Sequence, residues 1–319
     1  MDAKSTNSVA GGSPSRPDVA VLIPCYNEEL TVGKVIDDFR RALPEARIIV
    51  FDNCSTDRTA TLAAEHGATV LRECRQGKGF VVESMFDRIK ADAYVMVDGD
   101  DTYPAEKVHE LLAPILAEDA DMVVGSRLET HAAASFRPLH VAGNNLVRAL
   151  VNLLTHSHLK DIMSGYRAFS RRLVDRLPVV ASGFDIETEM TVQAVYYQMK
   201  IVEVPVAYGE RPTGSESKLS TFRDGFLVLW KIFGLFRSLK PLTFFGSIGL
   251  LCCAAGLLAG VLPIHDYLTE PGHYVRHVPL GILASALMII ALGNISLGIL
   301  LHTLNWRLRE LHSVLIRRR

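Results

Sequence analysis

The sequence predicts an α/β domain with a mainly parallel sheet, followed by a membrane-associated C-terminal third. Three observations carry this expectation. From Asp18 to about Val206, short apolar runs alternate with helical patterns, the order that produces a parallel sheet covered on both faces. Polar clusters close the apolar runs: "PCYNEE" after the first, "DNCSTD" after the second, "DGDD" after the fourth and "GSR" after the fifth. Ligands of such sheets sit beyond the carboxyl ends of the strands, so four clusters on one edge predict one composite nucleotide site. Finally, Pro241–Ile264 and Val278–Leu301 contain no charged residue, and each exceeds the roughly 20 residues that cross bilayer hydrocarbon.

Residues 1–17 are polar and rich in Gly, Ser and Pro. They lack the apolar core of a signal peptide and predict a disordered, non-secretory tail. Residues 18–219 form the expected α/β domain. Its first strand is "VAVLIPCYN", followed by a helix from Glu29 to about Ala42. "ARIIVFDN" is a second strand, and "STDRTATLAAEH" a helix capped by Ser55 or Thr56 ahead of Asp57. "ATVLREC", "AYVMVDGD" and "DMVVGSR" supply three more strands. Neither GxGxxG after the first strand nor GxxxxGK[ST] occurs, which argues against a dinucleotide-dependent oxidoreductase and a P-loop NTPase. The net charge of −1 over 319 residues gives no field that would draw in nucleic acid. Of the five cysteines, Cys252 and Cys253 are adjacent in an apolar run, and Cys25, Cys54 and Cys74 lack metal-ligand spacing. All five are read as reduced thiols of a reducing compartment.

In residues 220–240, Phe222, Phe226, Leu229, Trp230, Phe233 and Phe236 recur every three or four positions. With Arg223, Lys231, Arg237 and Lys240 they predict a juxtamembrane amphipathic helix lying in the bilayer interface. Spans at 241–264 and 278–304 follow, joined by a loop at 265–277 and ended by a basic tail at 305–319. Lysines and arginines flank the outer ends of both spans, whereas the loop "HDYLTEPGHYVRH" has one Arg and two acids. The positive-inside rule then puts both termini and the α/β domain in the cytoplasm and the loop outside. These flanks argue against a pair of buried core helices. Gly256 to Gly260 fits a small-xxx-small helix contact.

"VMVDGDDTYP" places Asp98 and Asp100 two positions apart directly after an apolar run. Alternate residues of a strand face the same way, so both carboxylates are expected to reach one point. Mg²⁺ or Mn²⁺ there would neutralise them and bridge substrate phosphates. The bland alternative is a solvated acidic turn.

"VLIPCYNEE", "DNCSTD" and "VDGDDTYP" together resemble the family 2 glycosyltransferases of GT-A (Rossmann-like) fold. "GSR", "DIMSGYRAFS", "GFDIETEM" and "VPVAYGERPTGSESKL" narrow the resemblance to the polyprenyl-phosphate glycosyltransferases, which include dolichol-phosphate mannose synthase. The resemblance runs from about Val19 to Leu219. It implies an inverting, metal-dependent enzyme that moves one sugar from a nucleotide sugar, of GDP-mannose or UDP-hexose type, to polyprenyl phosphate at the membrane. It also implies roles. Pro24, Tyr26, Asn27, Glu28, Asp52 and Lys78 would hold the donor, and Asp98 and Asp100 the metal and diphosphate. Arg127 and Arg137 would meet the acceptor phosphate. Arg211, Ser217 and Lys218 would form a loop closing over the phosphates. Asp100, Arg127 and Lys218 would act in catalysis.

Two departures stand out. "DGDDTYP" replaces the commoner "DADLQHP", putting Thr102 where a Gln can help the metal. "DNCSTD" replaces "DDGSTD", so Asn53 and Cys54 are expected to alter contacts to the base. The likeness sets Asp185, Glu187 and Glu189 beside the acceptor, where an acid can orient Arg side chains; a solvent-facing stripe is the alternative. A lipid phosphate is already anionic and needs cations more than a strong base. His140 and the other histidines show no ligand spacing. A processive polysaccharide synthase would show a Q-x-x-R-W motif, which is absent. A non-catalytic nucleotide-sugar-binding scaffold is the other alternative, and homo-oligomerisation stays open.

Overall fold

The structure, a computed structural model, describes residues 16–127, 148–149, 151–152, 158–177, 186–209, 233–234, 236–237 and 240–317. Arg137, His140, Asp185, Arg211, Ser217, Lys218 and most of the expected amphipathic helix lie outside the described residues. The chain divides into two compact units, Met1–Leu219 and Ser220–Arg319.

In the first unit, β1 (Val19–Cys25), β2 (Arg47–Asp52), β3 (Thr69–Arg72), β4 (Ala93–Met96), β5 (Met122–Ser126), β6 (Arg167–Ser170) and β7 (Ile201–Pro205) form one sheet in the order β3-β2-β1-β4-β6-β5-β7. Pairing is parallel except around β6, which runs antiparallel to both β4 and β5. The expected mainly parallel sheet is therefore present, with one inverted strand that no apolar run announced. β1 shows why the sheet is covered on both faces. Val21 and Ile23 join one apolar cluster with Val50, Val95 and Phe39, while Ala20 and Leu22 join another with Phe51, Met85 and Met96. Alternate side chains point oppositely, and both faces are buried.

Helix α1 (Val32–Ala42) buries Val32, Val35, Ile36 and Phe39, one stripe at helical spacing. Its start lies three residues beyond the predicted Glu29, because Glu29 and Leu30 belong to a turn. Helix α2 (Thr59–Glu65) likewise starts later than predicted. The Thr59 N–H and hydroxyl both donate to Asp57 Oδ1, at 2.9 and 2.5 Å, and Ser55 accepts from the Asn27 N–H instead of capping. Helices α3 (Lys78–Arg88), α4 (Val108–Leu116) and α5 (Ile186–Tyr196) complete the layers that matter here.

The described residues of the second unit from 240 onward form a helical hairpin. Helix α6 (Pro241–Thr269) and helix α7 (Val278–Arg317) continue past the span ends set by charge alone. Both are long and apolar enough to cross a membrane. Their backbones approach closely: a Cβ on Gly249 would lie 2.9 Å from the Ala291 carbonyl oxygen, and one on Gly256 3.2 Å from that of Ala284. The Gly256–Gly260 pattern thus faces the hairpin's own partner helix, as small residues do where helices pack in lipid. At the loop, buried Asp266 accepts from the backbone N–H groups of Arg276 and His277 at 3.0 and 3.1 Å, ahead of α7.

Candidate active site

The loops after β1, β2 and β4 meet at the carboxyl edge of the sheet. Each holds a non-glycine residue in the left-handed region: Asn27 (φ 53°), Cys54 (φ 59°) and Asp101 (φ 59°). Such backbone strain persists where the surroundings over-determine it and gathers at functional sites. Here side chains impose it. Asn27 donates its N–H to Ser55 Oγ (3.0 Å) and accepts from the Thr56 N–H (2.8 Å). Glu28 donates its N–H to Thr59 Oγ1 at 2.8 Å. Thr31, buried in the first turn leading to α1, donates its hydroxyl to the Gly99 carbonyl at 2.6 Å. The three loops are therefore stitched together before any ligand arrives.

Pro24 ends the buried run of β1, and Tyr26 is exposed beside it. Asp52 is buried at the end of β2 and accepts from the Ser55 N–H. Asn53, expected to alter contacts to the base, is also buried and spends its amide on the chain itself. It donates to the carbonyls of Glu73 and Arg75 (2.8 and 2.7 Å) and accepts from the Gly77 N–H (2.9 Å). A carboxylate has no donor and could not bind both carbonyls, which accounts for the amide here.

The acidic cluster departs from its strand-based expectation. β4 ends at Met96, so Asp98 and Asp100 lie beyond the strand, Asp100 in a turn, and strand alternation does not place them. The apolar run continues through Val97, but pairing with β6 stops at Met96. Asp100 is buried, and its Oδ1 accepts from the Thr102 hydroxyl at 2.6 Å. Asp98 remains 26 % exposed and receives Lys78 Nζ, which also reaches Glu187. Burial on its own would lower the Lys78 pKa; the two carboxylates outweigh it and hold the amine above the ordinary lysine range. Gly165 lies against Asp98: a Cβ there would stand 2.2 Å from Oδ2. Its N–H donates to the Tyr103 hydroxyl at 3.1 Å.

Glu187 and Glu189 are both buried on α5, so neither forms a solvent-facing stripe. On a helix, residues two apart do not share a face, and accordingly Glu187 meets Lys78 while Glu189 accepts from Gln193. Arg127 follows β5 and forks onto Asp161 through Nε (2.8 Å) and Nη2 (3.1 Å), with its N–H on the same carboxylate. Burial would lower the Arg127 pKa, but Tyr103 and Asp161 outweigh it. Conversely, burial raises Asp161 and Arg127 brings it below the ordinary carboxylate range. Arg127 also lies over the Tyr208 ring, 5.4 Å from its centroid.

Sequence reasoning did not single out Thr31, Tyr103, Asp161, Gly165 or Arg167. Arg167 is fully buried and holds the carbonyls of Ser164 and Ile162 (both 2.8 Å) and the Thr191 hydroxyl (2.8 Å). Burial lowers its pKa. The quoted stretches "DIMSGYRAFS" and "DGDDTYP" contain four of the five, but spacing alone gave them no contacts.

No group of three His, Cys, Asp or Glu able to hold a metal occurs among the described residues. The residues present nevertheless fit a Mg²⁺ or Mn²⁺ ion completed by substrate. Asp98 and Asp100 offer hard oxygen ligands, and the missing Cβ of Gly165 makes room for the Asp98 carboxylate itself. Mg²⁺ is commonly held by one or two carboxylates plus substrate phosphates.

A mixed, mostly parallel sheet with acids and a half-buried lysine at its carboxyl edge is the GT-A glycosyltransferase architecture. Glucosyl-3-phosphoglycerate synthase from Mycobacterium tuberculosis, solved in complex with UDP, superposes with a TM-score of 0.57 at 21 % identity, over 70 % of this chain and 80 % of that one. Within that class, the model of "Glycosyl transferase family 2" matches residues 20–177. Glycosyltransferase AglJ of Haloferax volcanii is 32 % identical over 288 residues, covering 90 % of this chain and 93 % of the relative. The dolichyl-phosphate hexose transferase of the same organism is 31 % identical over 208 residues, covering 65 % of this chain and 89 % of the relative. The chain belongs to glycosyl transferase family 2, and its activity is sugar transfer.

Proposed function

We propose that this enzyme transfers a single hexose from a nucleotide diphosphate sugar to a polyprenyl phosphate, with inversion at the sugar carbon, at the cytoplasmic face of a membrane. The observation that carries the reading is the union of a sugar-transfer domain with two helices of membrane length on one chain. A lipid acceptor explains why a transferase would need such helices. The similarity to a protein named dolichyl-phosphate hexose transferase supports the same acceptor class.

The residues divide the work as follows. Pro24, Tyr26, Asn27, Glu28 and Asp52 hold base and ribose on the stitched loops. Asp98 and Asp100 would hold a divalent cation, which supplies charge neutralisation for the departing diphosphate. A related structure of glucosyl-3-phosphoglycerate synthase contains Mn²⁺ and UDP, which supports that assignment. Lys78 lies at the first turn of α3, where it can turn from Asp98 to a diphosphate oxygen while Glu187 retains it. Arg127, Arg137, Arg211, Ser217 and Lys218 are assigned to the acceptor phosphate and the closing loop, since two anionic substrates need cations between them. The acceptor oxygen is anionic near neutral pH and attacks without a strong general base.

Membranes containing the protein, given labelled UDP- and GDP-sugars and a short polyprenyl phosphate, are expected to yield labelled lipid with one donor. Excess EDTA and Asp98→Ala should each abolish it. Absence of labelled lipid with every donor overturns the acceptor class, and undiminished transfer in EDTA overturns the metal assignment.

The orientation is tested separately. Single cysteines placed at Tyr267 or Tyr274, in a variant lacking native cysteines, should react with an impermeant thiol reagent from outside sealed cells. Labelling only after the cells are opened would reverse the topology.

A further inference from the structure

We propose that Cys54 and Cys74 form a redox-responsive thiol pair that closes to a disulfide at the β2–β3 edge and thereby reshapes the loop between β2 and α2. The placement follows from the ladder. β2 and β3 run parallel with Asp52 paired to Arg72, so the cysteines each stand two residues beyond a paired position. Contact continues past the strand ends: the Glu73 N–H donates to the Asp52 carbonyl at 3.0 Å, and the Asn53 side-chain amide donates to the Glu73 carbonyl at 2.8 Å. Neighbouring strands lie about 4.7–4.9 Å apart, inside the Cα separation a disulfide spans, about 4.4–6.8 Å. The Cys54 thiol lies 3.8 Å from the Glu73 carbonyl oxygen, so it already points toward the neighbouring strand. Cys54 is also the neighbour that most raises the pKa of both Cys74 and Arg72.

The backbone adds a second observation. Cys54 has φ 59°, in the left-handed region. A Cβ is unfavourable in that region, so a thiol kept there points to a use for the side chain. Cys74 is exposed and Cys54 half-buried, within reach of a small reagent. The remaining cysteines are buried in β1 (Cys25) or lie in α6 (Cys252 and Cys253).

The chemistry balances with a small-molecule disulfide as oxidant. Cys54, as the thiolate, attacks one sulfur and displaces one small thiolate, forming a mixed disulfide. The Cys74 thiolate then attacks the Cys54 sulfur and releases the second small thiol. The protein gives up two electrons and two protons, and the oxidant leaves as two thiols. Cys74 is the later of the two, since contact with Cys54 raises its pKa.

The consequence for donor binding rests on the function proposed above. Cys54 stands between Asp52 and Ser55, whose side chains shape the expected base site. The test uses the full-length protein in membranes, equilibrated with oxidised and reduced glutathione at a series of ratios, then alkylated and mapped by peptide mass. A bridged Cys54–Cys74 peptide is expected under oxidising ratios and should vanish with dithiothreitol. The KM for the nucleotide sugar should rise about tenfold or more in step with it, as for loss of one charge-assisted contact, and Cys74→Ser should show neither change. Glutathione adducts without an internal bridge overturn the pair. A bridge with unchanged KM overturns the effect on the donor. If the reduced enzyme transfers no sugar to lipid, the function reading fails, while the peptide map still decides whether the pair exists.

Discussion

Replacing Asp161 by asparagine is expected to destabilise the catalytic domain by about 3–5 kcal/mol, because it takes a buried carboxylate from the partly buried Arg127 guanidinium. For a domain of this size that is a fall in Tm of roughly 6–20 °C, measurable by thermal unfolding of the detergent-solubilised protein. The sign of the pH dependence follows from the depressed Asp161 pKa. A lowered carboxyl contributes stability above its unfolded pKa of about 3.9 and loses it as pH falls through the folded value. The wild type should therefore lose stability on acidification below about pH 4, and Asp161→Asn should lose less over the same range. Replacing both partners, Arg127→Met with Asp161→Leu, should recover much of the loss, since an apolar pair leaves no stranded charge. That double variant also separates two roles for Arg127. If it is stable and still transfers sugar with an unchanged requirement for polyprenyl phosphate, Arg127 serves the fold alone. If it is stable and inactive, Arg127 meets substrate as well. Should Asp161→Asn melt with the wild type, the ion pair does not organise this part of the site.

Gly165→Ala is expected to lower transfer about a hundredfold, the scale of a 1 Å misplacement in an active site, while leaving the melting temperature nearly unchanged. The added Cβ would stand 2.2 Å from Asp98 Oδ2 and 2.7 Å from Cγ, so Asp98 must swing away. Swinging is cheap for the fold because the clash is with the end of a side chain that is partly exposed. It is costly for function if Asp98 holds the metal and diphosphate. The apparent metal requirement should rise together with the loss of rate. Wild-type activity in Gly165→Ala would show that the observed position of Asp98 is not the working one.

Much of the architecture was legible because it is written in local pattern. The apolar runs at Val19–Cys25, Arg47–Asp52 and Met122–Ser126 are bounded by turn residues. Their burial on both faces leaves little choice but a parallel sheet. β6 was not legible. It is four residues long, begins with the buried Arg167, and pairs antiparallel with strands distant in sequence. No short-range period marks such a strand.

The sequence by itself determined that this chain carries a family 2 sugar-transfer domain with its polar clusters at one sheet edge, and two uncharged segments of membrane length. Composition, period and motif order are local properties, and they suffice for that. The tertiary structure alone decided which groups meet. Lys78 and Glu187 lie on helices far apart in sequence, yet they meet, and the same lysine reaches Asp98, while Arg127 finds Asp161 across a shorter separation. It also moved Asp98 and Asp100 off the strand whose geometry had seemed to align them, because pairing with β6 ends at Met96. Charges buried this deeply must find partners wherever the chain brings them, and which partner each one finds is fixed by packing rather than by spacing.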